Sequence, residues 1–588
     1  MNNTTPLTLG GISTELIIKI LHHCECLTIL RFAATCKAYN ELVAQSVTLQ
    51  LHIELEANCL ELVKGSFKQD ATYPVILEDL TRFRDAWLDL DIGEPITRPV
   101  GKSDMLLWEL REGFYIVAFS QSEGRYADAL QFIPLDPETP DPPPLLFDFT
   151  FNEFTADPGQ GLVAIISRDP QENKTSHVRL CSSSTGLAHP LAQHPRLTAE
   201  FDFKPPLFGS GFAIEIMGHT VLAKVSCPLE NVYEILIWDW RFGVLLHRIS
   251  SRDGICDFTF LDQQHLVVMS ATHSAQDSLA LLIYDISDDK SACNASPNKP
   301  MRATDLPISQ PILRLEFPRL KQSAKISEMG LLLRSDPTPD RKIYANSAAF
   351  ACPYAVTLGI TFCFHTVGYD WAAPPFYRVF LDGRSLRDHI RTNSHNGTQV
   401  LPWSAWGTNA TRWFVTPEEP DHWICWMSGS KYTRPLTDSH YYCVFDFSSL
   451  TVGRFQERFK QLYPTVYDRL VDNSDLHTGD GFGDLELLDR YLLAFLEDSP
   501  IDTEPVVLTV GADNPSIIAV GNDEDAGFDE PVISQLPYRL VCKDNNEIEH
   551  EGWQINGDCI IGVAPWSSPA ESITIYKLKN LNKTGSGV

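Results

Sequence analysis

The chain has 588 residues, more than one ordinary hydrophobic core can organise, and this length predicts two or more domains. Its hydrophobic fraction of 44% and aromatic fraction of 10% exclude a chain that is disordered throughout. Lys and Arg number 47 against 76 Asp and Glu, which gives a formal net charge of −29. A field of that sign disfavours binding to nucleic acid and attracts a basic partner.

The N-terminal segment carries no signal for export or membrane insertion. The residues MNNTTPLTLGGISTEL lack the basic and apolar regions of a secretory signal, and no apolar run has the length of a membrane span. The 14 cysteines are scattered from Cys24 to Cys559, which is typical of reduced, buried thiols. We therefore expect a protein of the cytoplasm, the nucleus or both, without a membrane partner.

Residues 13–45 predict a short helical head, because they contain neither Gly nor Pro and repeat their apolar residues with helical spacing. Ser13 or Thr14 can cap the first helix, and a second and a third helix are expected at about 27–36 and 37–45. The apolar stripe of the first helix comprises Leu16, Ile17, Ile20 and Leu21.

A further helix is predicted over residues 75–90, where Ile76, Leu80, Phe83 and Trp87 recur on one face. Charged residues occupy its other positions. An apolar stripe of this kind needs a packing partner, so we interpret the helix as a connector that fixes the head to the next domain.

From about residue 104 the pattern predicts many short strands. Apolar runs of strand length alternate with clusters of Gly, Pro, Asn, Asp and Ser, which favours an all-β sandwich or a propeller. Residues 219–250 have the strand order of a WD-repeat blade, with an Ile-Trp-Asp strand and a turn at Phe242-Gly243. Similar strands recur at 443–449 and 573–579. Roughly six to eight blades fit the remaining length.

The helical head resembles an F-box. Residues 12–15 (ISTE) correspond to the family's opening Leu-Pro-x-Glu, residues 20–21 to its Ile-Leu pair, and residues 36–39 (CKAY) to its late Cys-Lys-x-aromatic stretch. Ser13 stands where the family has proline, Cys24 where it has leucine, and Tyr39 where Trp is usual. The replaced proline removes some stiffness from the entry to the helix.

The order of F-box, linker helix and long degenerate propeller is similar to that of a large group of fungal F-box proteins. The resemblance implies a mainly β fold with an N-terminal α-helical head: an F-box at 8–50, a helical linker at 51–100 and an irregular WD-like β-propeller at 101–588. It implies the non-catalytic substrate receptor of a cullin-type ubiquitin ligase, partnered by a Skp-type cullin adaptor, through it by a cullin scaffold, and by an unknown protein target. The implied adaptor contacts are Ile12, Ser13, Leu16, Ile17, Ile20, Leu21 and Leu30. No catalytic residue, cofactor or metal is implied.

Two alternatives remain open. The apolar stripe of the head could pack inside the protein against the helix at 76–87, which would make the head an internal cap of a propeller scaffold unrelated to ubiquitin. A propeller hydrolase or lyase would need titratable residues that converge at the central channel. The sequence contains no Gly-x-Ser-x-Gly or His-Glu-x-x-His motif.

A cluster of tryptophans is a second candidate site, for binding of the target protein. Trp403, Trp406, Trp413 and Trp423 lie close together in the sequence, and Trp426 follows them. Amphipathic rings of this type suit a face that binds the target, but blades also pack such rings between their sheets. We expect the core interpretation and keep the binding face as the alternative.

Overall fold

The computed structural model describes residues 12–579 except 69–70, 101–104, 170, 207–210, 274–276, 288–300, 328–329, 336–338, 340–341, 345–346, 367–374, 393–396, 417–426, 437–440, 463–482, 499–505, 521–526, 545–549, 551 and 565–571. The chain divides into two compact units. The first, here called the head, comprises Met1–Gly93, Lys342–Pro353 and Leu578–Val588, and the second, the β domain, comprises Glu94–Arg341 and Tyr354–Lys577. The predicted modules 8–50, 51–100 and 101–588 stay predictions, since the compact units follow other boundaries.

The head contains helices and one small sheet. Its helices are α1 (Thr14–Leu21), α2 (Cys26–Ala33), α3 (Lys37–Gln45), α4 (Val47–Ala57) and α5 (Tyr73–Leu88). Its sheet has the strand order β1 (Glu61–Leu62), β23 (Ala349–Ala351) and β22 (Lys342–Tyr344). Strands β22 and β23 are far from the other head residues in sequence, so the head is assembled from separate parts of the chain.

Helices α1, α2 and α3 occur where the sequence predicts them, and α5 corresponds to the predicted helix at 75–90. Helix α4 was not predicted. Its sequence VTLQLHIELEA alternates apolar and polar residues, which is a strand pattern. Ser46 caps it by accepting a hydrogen bond from the Leu49 N–H, and its Leu49, Leu51 and Ile53 side chains are all buried. Tertiary burial therefore overrides the local pattern.

Seven sheets of successive antiparallel strands make up most of the described part of the β domain. Sheet 1 contains β3 (Leu107–Arg111), β4 (Phe114–Phe119), β5 (Ala127–Pro134) and β6 (Leu145–Phe151). Sheet 2 contains β7 (Glu153–Asp157), β8 (Leu162–Arg168), β9 (Thr175–Ser182) and β10 (Arg196–Glu200), with β18 (Met301–Arg302) at its edge. Sheet 3 contains β11 (Phe212–Met217), β12 (Thr220–Cys227), β13 (Val232–Asp239) and β14 (Val244–Ser251).

The other four sheets follow the same pattern with more additions. Sheet 4 contains β15 (Gly254–Phe260), β16 (His265–Thr272), β17 (Ser278–Asp285), β19 (Leu313–Glu316) and β26 (Gln399–Leu401). Sheet 5 contains β20 (Ala324–Ile326), β21 (Leu332–Arg334), β24 (Thr357–Thr366), β25 (Phe376–Asp382) and β27 (Thr411–Thr416). Sheet 6 contains β28 (Met427–Ser428), β29 (Lys431–Pro435), β30 (Tyr441–Asp446), β34 (Tyr538–Asp544) and β31 (Val506–Val510). Sheet 7 contains β35 (Gly552–Asn556), β36 (Cys559–Val563), β37 (Ser572–Lys577) and β2 (Ile96–Pro99).

Each sheet packs against the next through an apolar cluster. Separate clusters join sheets 1 and 2, 2 and 3, 3 and 4, and 4 and 5. A further cluster joins sheets 5, 6 and 7, and it returns to sheet 1 because Leu110 and Tyr115 of sheet 1 pack in it with Cys559 and Ile561 of sheet 7. Consecutive sheets that close on the first have the organisation of a WD-like β-propeller.

Strand β2 also closes the ring, because the first strand of the β domain pairs with the last. It lies ahead of sheet 1 in the chain but pairs with β37, with Ile96 opposite Ile575 and Arg98 opposite Ile573. Residues 96–99 fall within the predicted linker at 51–100, and in the structure they form this strand. The pairing leaves the edge of β37 covered by another strand, which protects it from pairing with a second chain.

The blade predicted at 219–250 is confirmed as β12, β13 and β14, with Gly243 at a positive φ of 68° in the turn. The remaining elements are excursions from the sheets. They are helices α6 (Gly383–Thr392), α7 (Trp403–Ala410), α8 (Ser449–Leu462) and α9 (Leu485–Asp498), the short 3-10 helices Pro228–Glu230 and Ala303–Asp305, and the hairpin β32 (Ser516–Ile518) with β33 (Val532–Ser534). In the part of the chain that the structure describes, no helix is both long and apolar enough to cross a membrane.

Candidate functional site

Four large apolar side chains stand exposed on the first two helices of the head. Leu16 and Ile20 on α1 are 52% and 53% exposed, and Leu27 and Leu30 on α2 are 41% and 47% exposed. Within each helix the two residues are four or three positions apart, so they share one side of that helix. We call these four residues the head face. Single exposed leucines are common, but four on two consecutive helices form a candidate docking surface.

The opposite sides of the same helices are buried. Ile17 and Leu21 on α1 are 6% and 4% exposed, and Ile29 on α2 is inaccessible. Burial of these side chains fixes the rotation of each helix about its own axis. The residues of the head face therefore point outward because their neighbours supply the packing.

Polar contacts fasten the connection between α1 and α2 to helix α4. The ring Nε2 of His22 lies 3.0 Å from the Thr48 hydroxyl, and the backbone N–H of Cys26 donates to a Glu56 carboxylate oxygen at 2.7 Å. His52 lies 3.1 Å from the Cys24 carbonyl oxygen. Burial, followed by the neighbouring His52 and His23, lowers the pKa of His22 and keeps its ring neutral near pH 7. The contacts thus hold the loop without adding charge at that ring.

Helix α4 is joined to α5, and α5 is joined in turn to the strand segment of the head. Arg84 donates to Glu54 at 2.6 Å and to Asp85 at 2.8 Å. Burial disfavours the charge on Arg84, but the hydrogen bonds and charges of Asp85 and Glu54 outweigh it and raise the pKa of the guanidinium. The Asp79 carboxylate accepts from the Ser347 backbone N–H at 2.9 Å. The loop between α1 and α2 is thus held by α4, α4 by α5, and α5 by the segment that contains Ser347.

The structure separates the sequence-predicted adaptor residues into two groups. Leu16, Ile20 and Leu30 are exposed with Ser13, Ile12 is half-buried, and Ile17 and Leu21 are buried. The alternative that the stripe packs inside the protein describes Ile17 and Leu21 but not the exposed three. Sequence reasoning missed Leu27, which its spacing of three residues from Leu30 could have indicated.

The tryptophan cluster belongs largely to the core of the β domain. Trp406 and Trp413 are 4% and 0% exposed and pack with Phe317, while Trp403 is half-buried beside them. A side chain without accessible surface cannot contact a target directly. Trp423 lies outside the described residues, as does Trp426.

Titratable residues do converge on the first strands of several sheets. Asp257 of β15 accepts from Arg334 of β21 at 2.6 Å and lies 3.4 Å from the Lys224 ammonium. Burial raises the pKa of Asp257, but Arg334 and Lys224 outweigh it, and the pKa is lowered overall. Glu109 of β3 accepts from the Thr155 hydroxyl at 2.8 Å. These contacts join neighbouring sheets, which is a structural role.

Two further carboxyls lie in the same region. Burial raises the pKa of Glu153 to about 7 and that of Glu215 to about 7, with smaller contributions from surrounding charges. Both groups are thus close to half protonated near neutral pH. They make the stability of the β domain sensitive to pH.

No protein-family model matches the chain, and no curated protein matches it. Among solved structures, the WD40 domain of SCAP from fission yeast is 9% identical, covers 83% of this chain and 97% of its own, and has a TM-score of 0.28. Drosophila Semaphorin 2a is 8% identical with coverages of 83% and 76% and a TM-score of 0.34. Hydrazine synthase of Kuenenia stuttgartiensis is 10% identical with coverages of 51% and 84% and a TM-score of 0.24. All three TM-scores are below 0.5, and the propeller organisation follows from the strand pairing and the packing between sheets described above.

Proposed function

We propose that this chain is the non-catalytic substrate-receptor subunit of a cullin-type ubiquitin ligase. The head is proposed as an F-box that docks a Skp-type cullin adaptor, and the β domain is proposed to recruit a target protein. The observation that carries the proposal is the head face, whose four apolar side chains stay exposed although the rest of α1 and α2 is packed. An adaptor would cover them.

Burial of the head face would stabilise a docked complex. Burying a Leu or Ile side chain completely contributes roughly 1.5–3 kcal/mol, and each residue of the head face is already about half-buried, so each would contribute about 1 kcal/mol on docking. Charge placed at a central apolar anchor costs about 2 kcal/mol or more, because truncation alone reaches that value. We therefore expect two such charges to abolish docking.

The proposed activity is one of proximity. A receptor that holds a target beside a charged conjugating enzyme raises the effective concentration of the target's lysines, and no side chain of the receptor needs to take part in the chemistry. The proposed division of labour assigns docking to the head and recognition to the β domain.

The test is capture of the intact chain by a purified Skp-type adaptor. We expect wild-type protein to be captured and the double variant Leu16→Asp/Ile20→Asp to be lost. Val75→Asp is the matched control, since Val75 is also an exposed apolar residue of a head helix, 43% accessible at the start of α5. Equal capture of the double variant and the control would refute the proposal.

One observation favours a second candidate, a protein-interaction scaffold unrelated to ubiquitin. Strands β22 and β23 lie between segments of the β domain in sequence. Strand β23 pairs with β1 inside the head, with Ala351 opposite Glu61, and β22 pairs with β23. A head built in this way could serve as a structural cap. Absence of adaptor binding by wild-type protein, together with normal folding, would favour this candidate.

A further inference from the structure

Two arginines face each other on adjacent strands of sheet 2. Arg179 on β9 and Arg196 on β10 are direct partners in the antiparallel register, so their side chains lie on the same side of the sheet. Like charges placed directly opposite each other destabilise a sheet. In a chain of net charge −29, acidic partners for both arginines are plentiful in the sequence, which makes this pairing unusual.

Each guanidinium is held in place by a neutral group. Arg179 donates to the Ser167 hydroxyl at 2.6 Å, and its guanidinium carbon lies 3.9 Å above the centre of the Phe149 ring. Arg196 is exposed, and its Nη2 lies 2.7 Å from Nε2 of His177. The two cations are therefore oriented by their surroundings before any ligand arrives.

No carboxylate in the described part of the chain forms an ion pair with either cation. Among the described residues, no Asp or Glu oxygen lies within 4.0 Å of a nitrogen of Arg179 or Arg196. Burial, followed by the charge of Arg196, lowers the pKa of Arg179, and smaller contributions from Cys181, Asp148 and Asp169 oppose that shift. Asp169 is already engaged by the backbone N–H groups of Gln171 and Glu172, at 2.7 and 2.9 Å.

His177 cannot satisfy its two neighbours at once. Its Nε2 lies 2.8 Å from an Asp169 carboxylate oxygen and 2.7 Å from the Arg196 guanidinium. A single ring nitrogen either donates its hydrogen to the carboxylate or accepts one from the guanidinium. When the ring donates to Asp169, Arg196 retains no hydrogen-bond acceptor from this group.

Two buried arginines of the β domain are paired with carboxylates. Arg248 makes two hydrogen bonds to Glu234 at 2.8 and 2.9 Å, and Arg434 pairs with Asp489. A carboxylate of this kind offsets the cost of burying a guanidinium. In sheet 2, two arginines lie opposite each other, and Arg196 is exposed to solvent.

We propose that Arg179 and Arg196 form a binding site for a phosphate group. The two negative charges of a phosphate dianion offset the charges of two guanidinium groups. Its oxygens can accept hydrogen bonds from the N–H groups of both. Thr198 lies on the same side of the sheet as the two arginines, two residues from Arg196 on β10. Its hydroxyl is 3.0 Å from Nδ1 of His177 and adds a polar group beside the proposed site. The site stands independently of the proposed ligase role.

The first experiment uses inorganic phosphate as the probe and the intact chain as the receptor. The line width of the phosphate ³¹P resonance is followed as protein is added at constant ionic strength. We expect broadening by wild-type protein and at least a tenfold weaker apparent affinity for Arg196→Gln. Arg241→Gln is the matched control. Arg241 is also exposed, stacks on an aromatic ring (Trp240) and contacts a neutral side chain (Gln160). It lies in the turn between β13 and β14, however, and not opposite a second arginine in a strand pair.

The fold is checked by the thermal transition of each variant, and exposed Arg196 is the safer position to change. Arg179→Gln gives a second reading if it melts like the wild type. Absence of broadening by wild-type protein, or equal broadening by Arg196→Gln and wild type, would overturn the proposal.

Two sources of the phosphate group can be separated with a second probe. A glycine-flanked phosphoserine peptide is added in competition with inorganic phosphate, beside its unphosphorylated form. Displacement by the phosphopeptide alone supports the site with a phosphorylated side chain as its ligand. Binding of inorganic phosphate without such displacement supports it with free phosphate as its ligand. Equal displacement by both peptides would argue against recognition of the phosphate group.

Discussion

Arg412 offers a sharp test of how the β domain is held together. This arginine of β27 is fully buried, and it reaches the segment between β31 and β34 of sheet 6. It donates to the carbonyl oxygens of Leu536 at 2.7 Å, Asn514 at 2.8 Å and Gly511 at 3.3 Å, and to the Ser516 hydroxyl at 3.2 Å. Burial lowers the pKa of Arg412 to about 10, so the group remains charged at neutral pH.

The magnitude follows from these four contacts. A hydrogen bond contributes about 1 kcal/mol net, and a buried acceptor left without a donor costs about 1–3 kcal/mol. Removing the guanidinium also removes the cost of burying a charge, which offsets part of the loss. We expect Arg412→Met to lower the free energy of unfolding of the β domain by about 3–5 kcal/mol. Arg412→Lys should lower it by a similar amount, since an ammonium cannot reproduce the planar fork.

The assay is urea denaturation followed by tryptophan fluorescence, because the neighbouring Trp413 is inaccessible in the folded state. The urea midpoint should fall on the order of 1 M if the dependence on urea is about 3 kcal/mol per molar or somewhat more. Arg391→Met is the control, since its side chain is 62% exposed and should change stability by less than about 0.5 kcal/mol. If Arg412→Met unfolds at the wild-type midpoint, the hydrogen bonds of Arg412 do not couple these segments.

Two further predictions concern pH. The pKa of Glu215 is raised to about 7, so its contribution to stability is present below its unfolded value of 4.5 and is lost as pH rises through 7. Glu215→Gln should therefore unfold at a higher urea concentration than wild type at pH 8, with the difference absent at pH 4.5. Burial lowers the pKa of His550 to about 4, so the folded state resists a proton that the unfolded chain accepts near pH 6.5. Stability should fall as pH drops from about 6.5 to 4, and His550→Asn should flatten that slope; an unchanged slope would contradict the assignment.

The sequence was most informative where local pattern and tertiary packing agree. The stripes of α1 and α2 predicted helices, and the Ile-Trp-Asp strand predicted β13 with its neighbours. Helix α4 shows the opposite case, because its alternating residues are typical of a strand and only burial on all sides makes a helix favourable. Strand β2 was missed because its partner β37 lies at the other end of the chain.

The candidate sites, too, were predictable from local pattern only in part. Spacing alone indicated the exposed Leu16 and Ile20, but it could not tell them from the adjacent Ile17 and Leu21, since all four belong to one broad stripe. The paired arginines of sheet 2 were invisible in the sequence. Arg179 and Arg196 become neighbours only through the register of β9 with β10, which the loop between these strands does not specify.

The central claim is that the head face docks a Skp-type adaptor, and the dissociation constant of that complex tests it most directly. Isothermal titration of purified adaptor into the intact chain should give a measurable heat and a stoichiometry of one. Leu30→Asp, at a residue 47% exposed on α2, should weaken the complex at least tenfold, while Val75→Asp should leave it unchanged. No binding by wild-type protein, or equal binding by Leu30→Asp, would contradict the claim.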